Sequence, residues 1–386
     1  MIVVMAFPTQ TGQTRRMVQS RLYLVFIPIA LLAFLLALWA GLLRMGWVLP
    51  TLPGGSLAQT HGPLMISGFL GTLITLERAV AIRAPWMLLA PACTALGWVM
   101  LLGAPESYPG AILLTLGSGL GSLILVAMIR REPAVHTWVM GAGAACWLIG
   151  NSLWLAGRAV PGVVPFWLAW LVLTIAGERL ELNRVMRLSR RALLVFASLC
   201  TLLVLGVAFS LLNANVGARL AGLGMLTLAL WFARYDLALR NLRHRLSLTR
   251  YIGWCLSLGF VWLGLGGALY IGYDAQYAGL IYDAQVHAVL VGFVISMIFG
   301  HAPIIFPAIL GRPFAFGRHF YVPLVALQLT LVLRIGGDLA AAMIVRQWGG
   351  MLNTAAILLF LAAVAQAMGP QRYARGALSN PRSTGT

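Results

Sequence analysis

The sequence predicts an all-α, polytopic membrane bundle of about twelve transmembrane helices, folded as one integral membrane domain over residues 1–386. Three observations carry that prediction. Hydrophobic residues make up 61% of the chain and charged residues only 9%, a balance that belongs to multi-span membrane proteins and excludes the soluble globular class. Apolar windows of about 20 residues, the length that crosses a bilayer, follow one another almost without interruption. The basic residues, all arginine, collect on alternate connections between those windows, as they do when one side of a membrane retains positive charge.

Breaking the windows at proline, glycine and charge clusters places the helices at residues 22–43, 60–82, 86–103, 109–129, 134–156, 162–180, 192–212, 217–239, 250–272, 284–309, 320–343 and 347–368. The connections are short and leave no room for an extramembrane domain. A short N-terminal segment, 1–21, and a polar tail, 369–386, lie outside the bilayer. The first apolar run follows Arg15, Arg16 and Arg21 but is too long for a signal-peptide core, so it reads as a retained span.

Orientation follows from the arginines. Taking both termini as cytoplasmic puts Arg78, Arg130, Arg131, Arg179, the run from Arg184 to Arg191 and the run from Arg234 to Arg250 on that side. Only Arg44, Arg158, Arg219 and Arg346 fall on the other. The formal net charge of +18 is therefore a topology signal, and no nucleic-acid partner is implied. Cys93, Cys146, Cys200 and Cys255 fall singly in separate spans and read as core packing, not as a disulfide framework or a zinc site.

The even-numbered helices share one direction, and the second, sixth and tenth carry most of the buried polar chemistry. Thr-Leu-Glu-Arg ending at Arg78 and Ala-Gly-Glu-Arg ending at Arg179 hint at a pseudo-repeat of four helices, which would bring those three helices to equivalent positions. His61 and His287 stand at the outer ends of the second and tenth helices. Neutral imidazoles at matching depth on two helices are what axial ligation of a haem iron requires; the competing reading is a pair of interfacial residues bonded to headgroups or loop carbonyls.

The tenth helix, DAQVHAVLVGFVISMIFGHAPIIFPAILGRP from Asp283 to Pro313, holds a second histidine, His301. Its separation from His287 is about 21 Å of helix with only about 40° of rotation, so the two share a face at opposite depths. Pro303 and Pro307 follow closely and free two backbone carbonyls, which predicts a kink there. An imidazole in that place suits a second haem site, a copper ligand or a proton relay, or a neutral histidine bonded to a freed carbonyl.

Glu77 with Arg78 and Glu178 with Arg179 read as snorkelling ion pairs near the cytoplasmic interface. Arg334 and Asp338, one turn apart near mid-membrane, read as an internal ion pair. Asp283 reads as the N-cap of the tenth helix. His136, His244 and His319 are interfacial, and Trp47, Trp86, Trp138, Trp154, Trp167 and Trp348 form an aromatic belt. No Walker motif, GxSxG elbow or HExxH is present.

At these residues the chain resembles the NnrS family of haem- and copper-containing membrane proteins, themselves similar to subunit I of the haem-copper oxidases. The resemblance rests on His61, Leu64, Met65, Ile66, Gly68 and Phe69 in the second helix, on His287, Ala288, Val291 and Gly292 in the tenth, and on the exit Leu310-Gly311-Arg312-Pro313. It implies haem b held by His61 and His287, His301 at or near a second metal site, copper as a further cofactor, and a bacterial inner-membrane location. It also implies nitric oxide or a similar diatomic as ligand, and a part in nitric-oxide metabolism or nitrosative-stress resistance. The second helix departs from the family by running into Leu76-Glu77-Arg78, and the exit lacks the family's histidine. Two alternatives stay open: haem without copper, or neither. The motifs name a ligand and leave turnover undecided. The rival class is a secondary transporter using a broken tenth helix and the Arg334 and Asp338 charges.

Overall fold

A computed structural model of the protein describes residues 13–51, 57–82, 84–103, 108–310 and 313–369. Gly311 and Arg312 of the helix exit lie outside the described residues. Every regular element among the described residues is helical. Twelve helices are long and apolar enough to cross a membrane, which makes the chain a multi-pass membrane protein. They are α1 (Val25–Arg44), α2 (Leu57–Ile82), α3 (Pro85–Gly103), α4 (Tyr108–Arg131), α5 (Val135–Leu155) and α6 (Val160–Leu182). The second half comprises α7 (Arg190–Phe209), α8 (Ala214–Tyr235), α9 (Ser247–Tyr273), α10 (Gly279–Pro307), α11 (Arg318–Leu339) and α12 (Met343–Ala367).

Within a bilayer the backbone must satisfy its own hydrogen bonds, so helices are the form available to an open chain. Successive helices pack antiparallel on their neighbours, with α12 returning to α1. Side chains such as Leu96, Leu123, Leu230, Val261 and Leu329 point outward, as lipid-facing residues do. The innermost helices are α2, α6 and α10, whose most apolar stretches are 61%, 72% and 67% buried, against at most 56% for any other span. These are the three helices that a four-helix period brings to equivalent positions.

Two boundaries differ from expectation for physical reasons. Helix α10 opens at Gly279 rather than 284, because Asp283 and Gln285 lie inside the helix and find partners in the protein interior. Asp283 is therefore no N-cap. Helix α11 stops at Leu339 rather than 343, where Ala341 adopts a left-handed backbone (φ 53°). No glycine or proline stands at that turn to announce it. Asp338 consequently sits in the last turn of α11, and the mid-membrane placement of Arg334 and Asp338 is corrected to a position near the helix end.

The tenth helix continues past its prolines, and its irregular hydrogen bonding lies elsewhere. Helix α10 runs on through Pro303 and Pro307 to Leu310. Its irregular stretch is a π-helix at Ala288–Ile295, directly after His287. Helix α2 has a matching π-helix at Leu64–Leu70, three residues after His61. A π stretch uses i→i+5 hydrogen bonds and changes the phase of the helix beyond it, a device common at functional sites.

Candidate functional site

Buried polar bonds fix α2 in place. Ser67, within the α2 π-helix, bonds to Asn151 of α5 at 3.2 Å, and Trp147 donates to Ser67 at 3.0 Å. Trp167 of α6 donates to the same Asn151 carbonyl at 2.9 Å, and Trp147 stacks on Trp170 with ring centres 4.1 Å apart. Satisfied polar groups in a dry interior hold one arrangement, since breaking any of them strands a donor or acceptor. Trp167 is thus a fully buried core residue, which removes it from the aromatic belt.

His61 leaves α2 next to α1, where Gly41 makes room for it. A Cβ at residue 41 would lie 2.9 Å from His61 Cε1 and 3.1 Å from Nδ1, so only glycine lets the ring approach so closely. The Nδ1–H of His61 donates to the Ala37 carbonyl at 2.7 Å. His287 is held similarly, with Nδ1 2.9 Å from the Asp283 carbonyl one turn back. These bonds select the tautomer that leaves the lone pair on Nε2 of each ring. The two imidazoles, far apart in sequence, come together with ring centres 6.3 Å apart and planes 22° from parallel.

Both rings line a cavity of about 390 Å³ walled by α1, α2, α6, α10, α11 and α12, a size typical of cofactor pockets. Its lining is largely apolar, with Arg44, Arg334, Arg346 and Asp283 as the charged exceptions. Asp283 takes two bonds from Arg334, Nε to Oδ2 and Nη2 to Oδ1, each 2.8 Å. Arg334 Nη2 also lies 3.2 Å from His287 Nε2. Arg346 reaches Asp283 at 3.7 Å and Asp338 at 2.8 Å, the latter out of line for a hydrogen bond. The expected Arg334–Asp338 pair is therefore not made: each residue pairs across helices, Arg334 with α10 and Asp338 with α12. The charge pair on which a transport reading drew is thus Arg334 with Asp283 in place of Arg334 with Asp338.

At the other end of the bundle the acidic and basic groups close on each other. Arg78 pairs with Glu178 across α2 and α6, not with its neighbour Glu77. Arg179 clamps Asp236, the residue that caps the end of α8, with bonds of 2.9 and 2.7 Å, and Asn183 adds a third at 2.8 Å. The local snorkelling pairs are thus inter-helix ties. His136 is buried rather than interfacial and lies 3.0 Å from Arg184, which in turn pairs with Glu132. His244 and His319 are exposed.

His301 lies apart from the first two histidines, at this closed end. Its Nδ1 donates to the Met297 carbonyl at 2.7 Å, an acceptor four residues back and not one of those freed by the prolines. Its Nε2 is buried without a hydrogen-bond partner among the described residues. No group of three or more His, Cys, Asp or Glu side chains converges anywhere among the described residues, so the donors around His301 do not fit a copper site built from side chains. The cysteines are unpaired and packed in the helices, as expected.

Haem fits the other end. Two imidazoles holding one metal need ring centres about 6 Å apart, given metal–nitrogen bonds of roughly 2 Å each, and the cavity that both rings line carries arginines suited to carboxylate side arms. Sequence reasoning found both histidines but missed Arg44 and Arg346 as cavity residues. The signal was present: both are among the few arginines that break the charge bias.

A family model described as "Domain of unknown function (DUF8744)" matches residues 21–368. No curated protein matches the sequence. The structure is similar to a chain of a haem-copper terminal oxidase dimer determined by cryo-EM, with a TM-score of 0.60 and 13% identity over 91% of this chain and 84% of that one. At that identity the likeness is one of fold.

Proposed function

The chain belongs to the DUF8744 family, and from the geometry of its cavity we propose that it is a haem-binding membrane protein in which His61 and His287 would hold the iron. The observation that carries this reading is the 6.3 Å, near-parallel arrangement of the two rings at the wall of a cavity of about 390 Å³. The oxidase-like fold supports it.

The chain's own residues would act as follows. Ala37 and Asp283 carbonyls hold the two imidazoles in the tautomer that presents Nε2. Gly41 lets α1 close over His61. Arg44 and Arg346, with Arg334 behind them, offer cationic partners for the propionates, and the apolar lining from Ile66, Leu70 and Val294 excludes water. A haem bound here would supply one-electron chemistry, with a potential set by axial ligands and surrounding hydrogen bonds.

The resemblance to NnrS extends this reading to nitric-oxide metabolism or nitrosative stress in a bacterial inner membrane, with the cavity opening on the outer face. Copper forms no part of it. The test is an optical spectrum of protein purified from cells supplied with haem. The expected result is a Soret band with low-spin features, and a further spectral change when nitric oxide is added to the reduced protein. A folded but colourless protein contradicts haem binding; a haem spectrum indifferent to nitric oxide contradicts only the extension.

A further inference from the structure

The two imidazoles match in placement but differ in what stands behind them. His61 is backed by a neutral carbonyl alone, Ala37, at 2.7 Å. His287 has the Asp283 carbonyl at 2.9 Å and, in addition, the Asp283 carboxylate, whose Oδ1 lies 3.2 Å from Nδ1. Asp283 is buried, at 8% exposure, and the orientation of its carboxylate is fixed by the two parallel bonds from Arg334.

The pairing of charges around it is informative. Arg334 and Asp338 occupy i and i+4 of one helix, the spacing of a local ion pair. Instead Arg334 turns to Asp283, while Asp338 is left to Arg346. Buried ion pairs gain little stability over apolar packing of the same volume. Stability alone therefore gives no reason to set a carboxylate one turn behind His287, whereas a hydrogen-bonding acid behind a metal-bound imidazole fixes the ring and raises its donor strength.

We propose that Asp283 is a positioning residue that would make His287 the stronger donor of the two imidazoles, with Arg334 setting how much of the carboxylate's charge reaches the ring. The inference rests on the haem reading above. Asp283 does not touch the ligand itself; it acts through Nδ1 of His287. Withdrawing its charge favours the reduced, less positive iron, and freeing it from Arg334 favours the oxidised iron.

The experiment compares full-length wild type, Asp283→Asn and Arg334→Gln, each loaded with haem b in lipid nanodiscs, by potentiometric titration and by EPR of the ferric form. Asp283→Asn is expected to keep haem while its oxidised-to-reduced ratio at fixed potential falls at least tenfold, a rise of 59 mV for one electron, with displaced g values. Arg334→Gln is expected to move the potential the opposite way. A haem-loaded Asp283→Asn protein with unchanged g values and a ratio within twofold of wild type overturns the proposal. Should Asp283→Asn fail to fold or load, Arg334→Gln decides, and an unchanged or raised potential there overturns it. Wild-type protein that takes up no haem defeats the parent reading, an outcome visible before any variant is measured.

Discussion

The two ends of the bundle use the same residue types to opposite effect. At one end Arg78 meets Glu178, and Arg179 meets Asp236 with Asn183 in support; the charges neutralise one another and helices are tied together. At the other, Arg44 and Arg346 line a cavity of about 390 Å³ beside two histidines whose Nδ1 atoms are spoken for. The closed end satisfies its ion pairs within the protein. The open end also pairs Arg334 and Arg346 with Asp283 and Asp338, but it leaves Arg44 and Nε2 of His61 beside a space, an arrangement costly in a membrane interior unless something else occupies it. The difference separates charge that only ties helices together from charge that also borders a cavity, although both look alike in the sequence.

The sharpest way to break that contrast is to remove an imidazole at the open end. His61→Ala and His287→Ala are each expected to abolish low-spin haem absorbance while the purified protein keeps its helical circular dichroism. Next in size is a cut at the closed end: Asp236→Ala leaves Arg179 buried and unpaired, and should cost about 3–5 kcal/mol of stability, read as a lower midpoint in denaturant with the spectrum of any remaining folded protein intact. Gly41→Val acts at the open end alone. By pushing against His61 Cε1 it should weaken haem affinity about tenfold in a haem titration without moving the melting temperature much. The smallest effect belongs to Asp274→Asn, which removes the exposed Arg219–Asp274 pair. Neither haem uptake nor melting temperature should change, since exposed pairs are well screened.

The membrane plan was legible because hydropathy and arginine placement are summed over many residues and tolerate local error. The twelve spans follow from such patterns; the grouping of α2, α6 and α10 came from the Glu-Arg repeat, and the pairing of His61 with His287 from their matching depth at two helix starts. Partner choice did not, because ion pairs between helices depend on packing that no local spacing reveals. Arg334 lies four residues from Asp338, yet bonds to Asp283; Glu77 adjoins Arg78, yet Arg78 bonds to Glu178. The π-helices after the two histidines carry no sequence mark either. The prolines in α10 pointed to residues 303 and 307, whereas the irregular turns lie at Ala288–Ile295. The most useful missed clue was a set of exceptions. Of the arginines that defied the charge bias, Arg44 and Arg346 line the cavity, Arg158 lines a smaller apolar pocket against α7 and α8, and Arg219 is paired with Asp274.

The central claim is that two distant imidazoles face each other across a ligand. A cryo-EM map of the haem-supplied, full-length protein in nanodiscs tests it most directly. The account predicts planar density between the rings of His61 and His287, continuous with both Nε2 atoms, and carboxylate arms turned toward Arg44 and Arg346. Density for haem at any other place in the bundle, or lipid filling the space between those two rings, would contradict it.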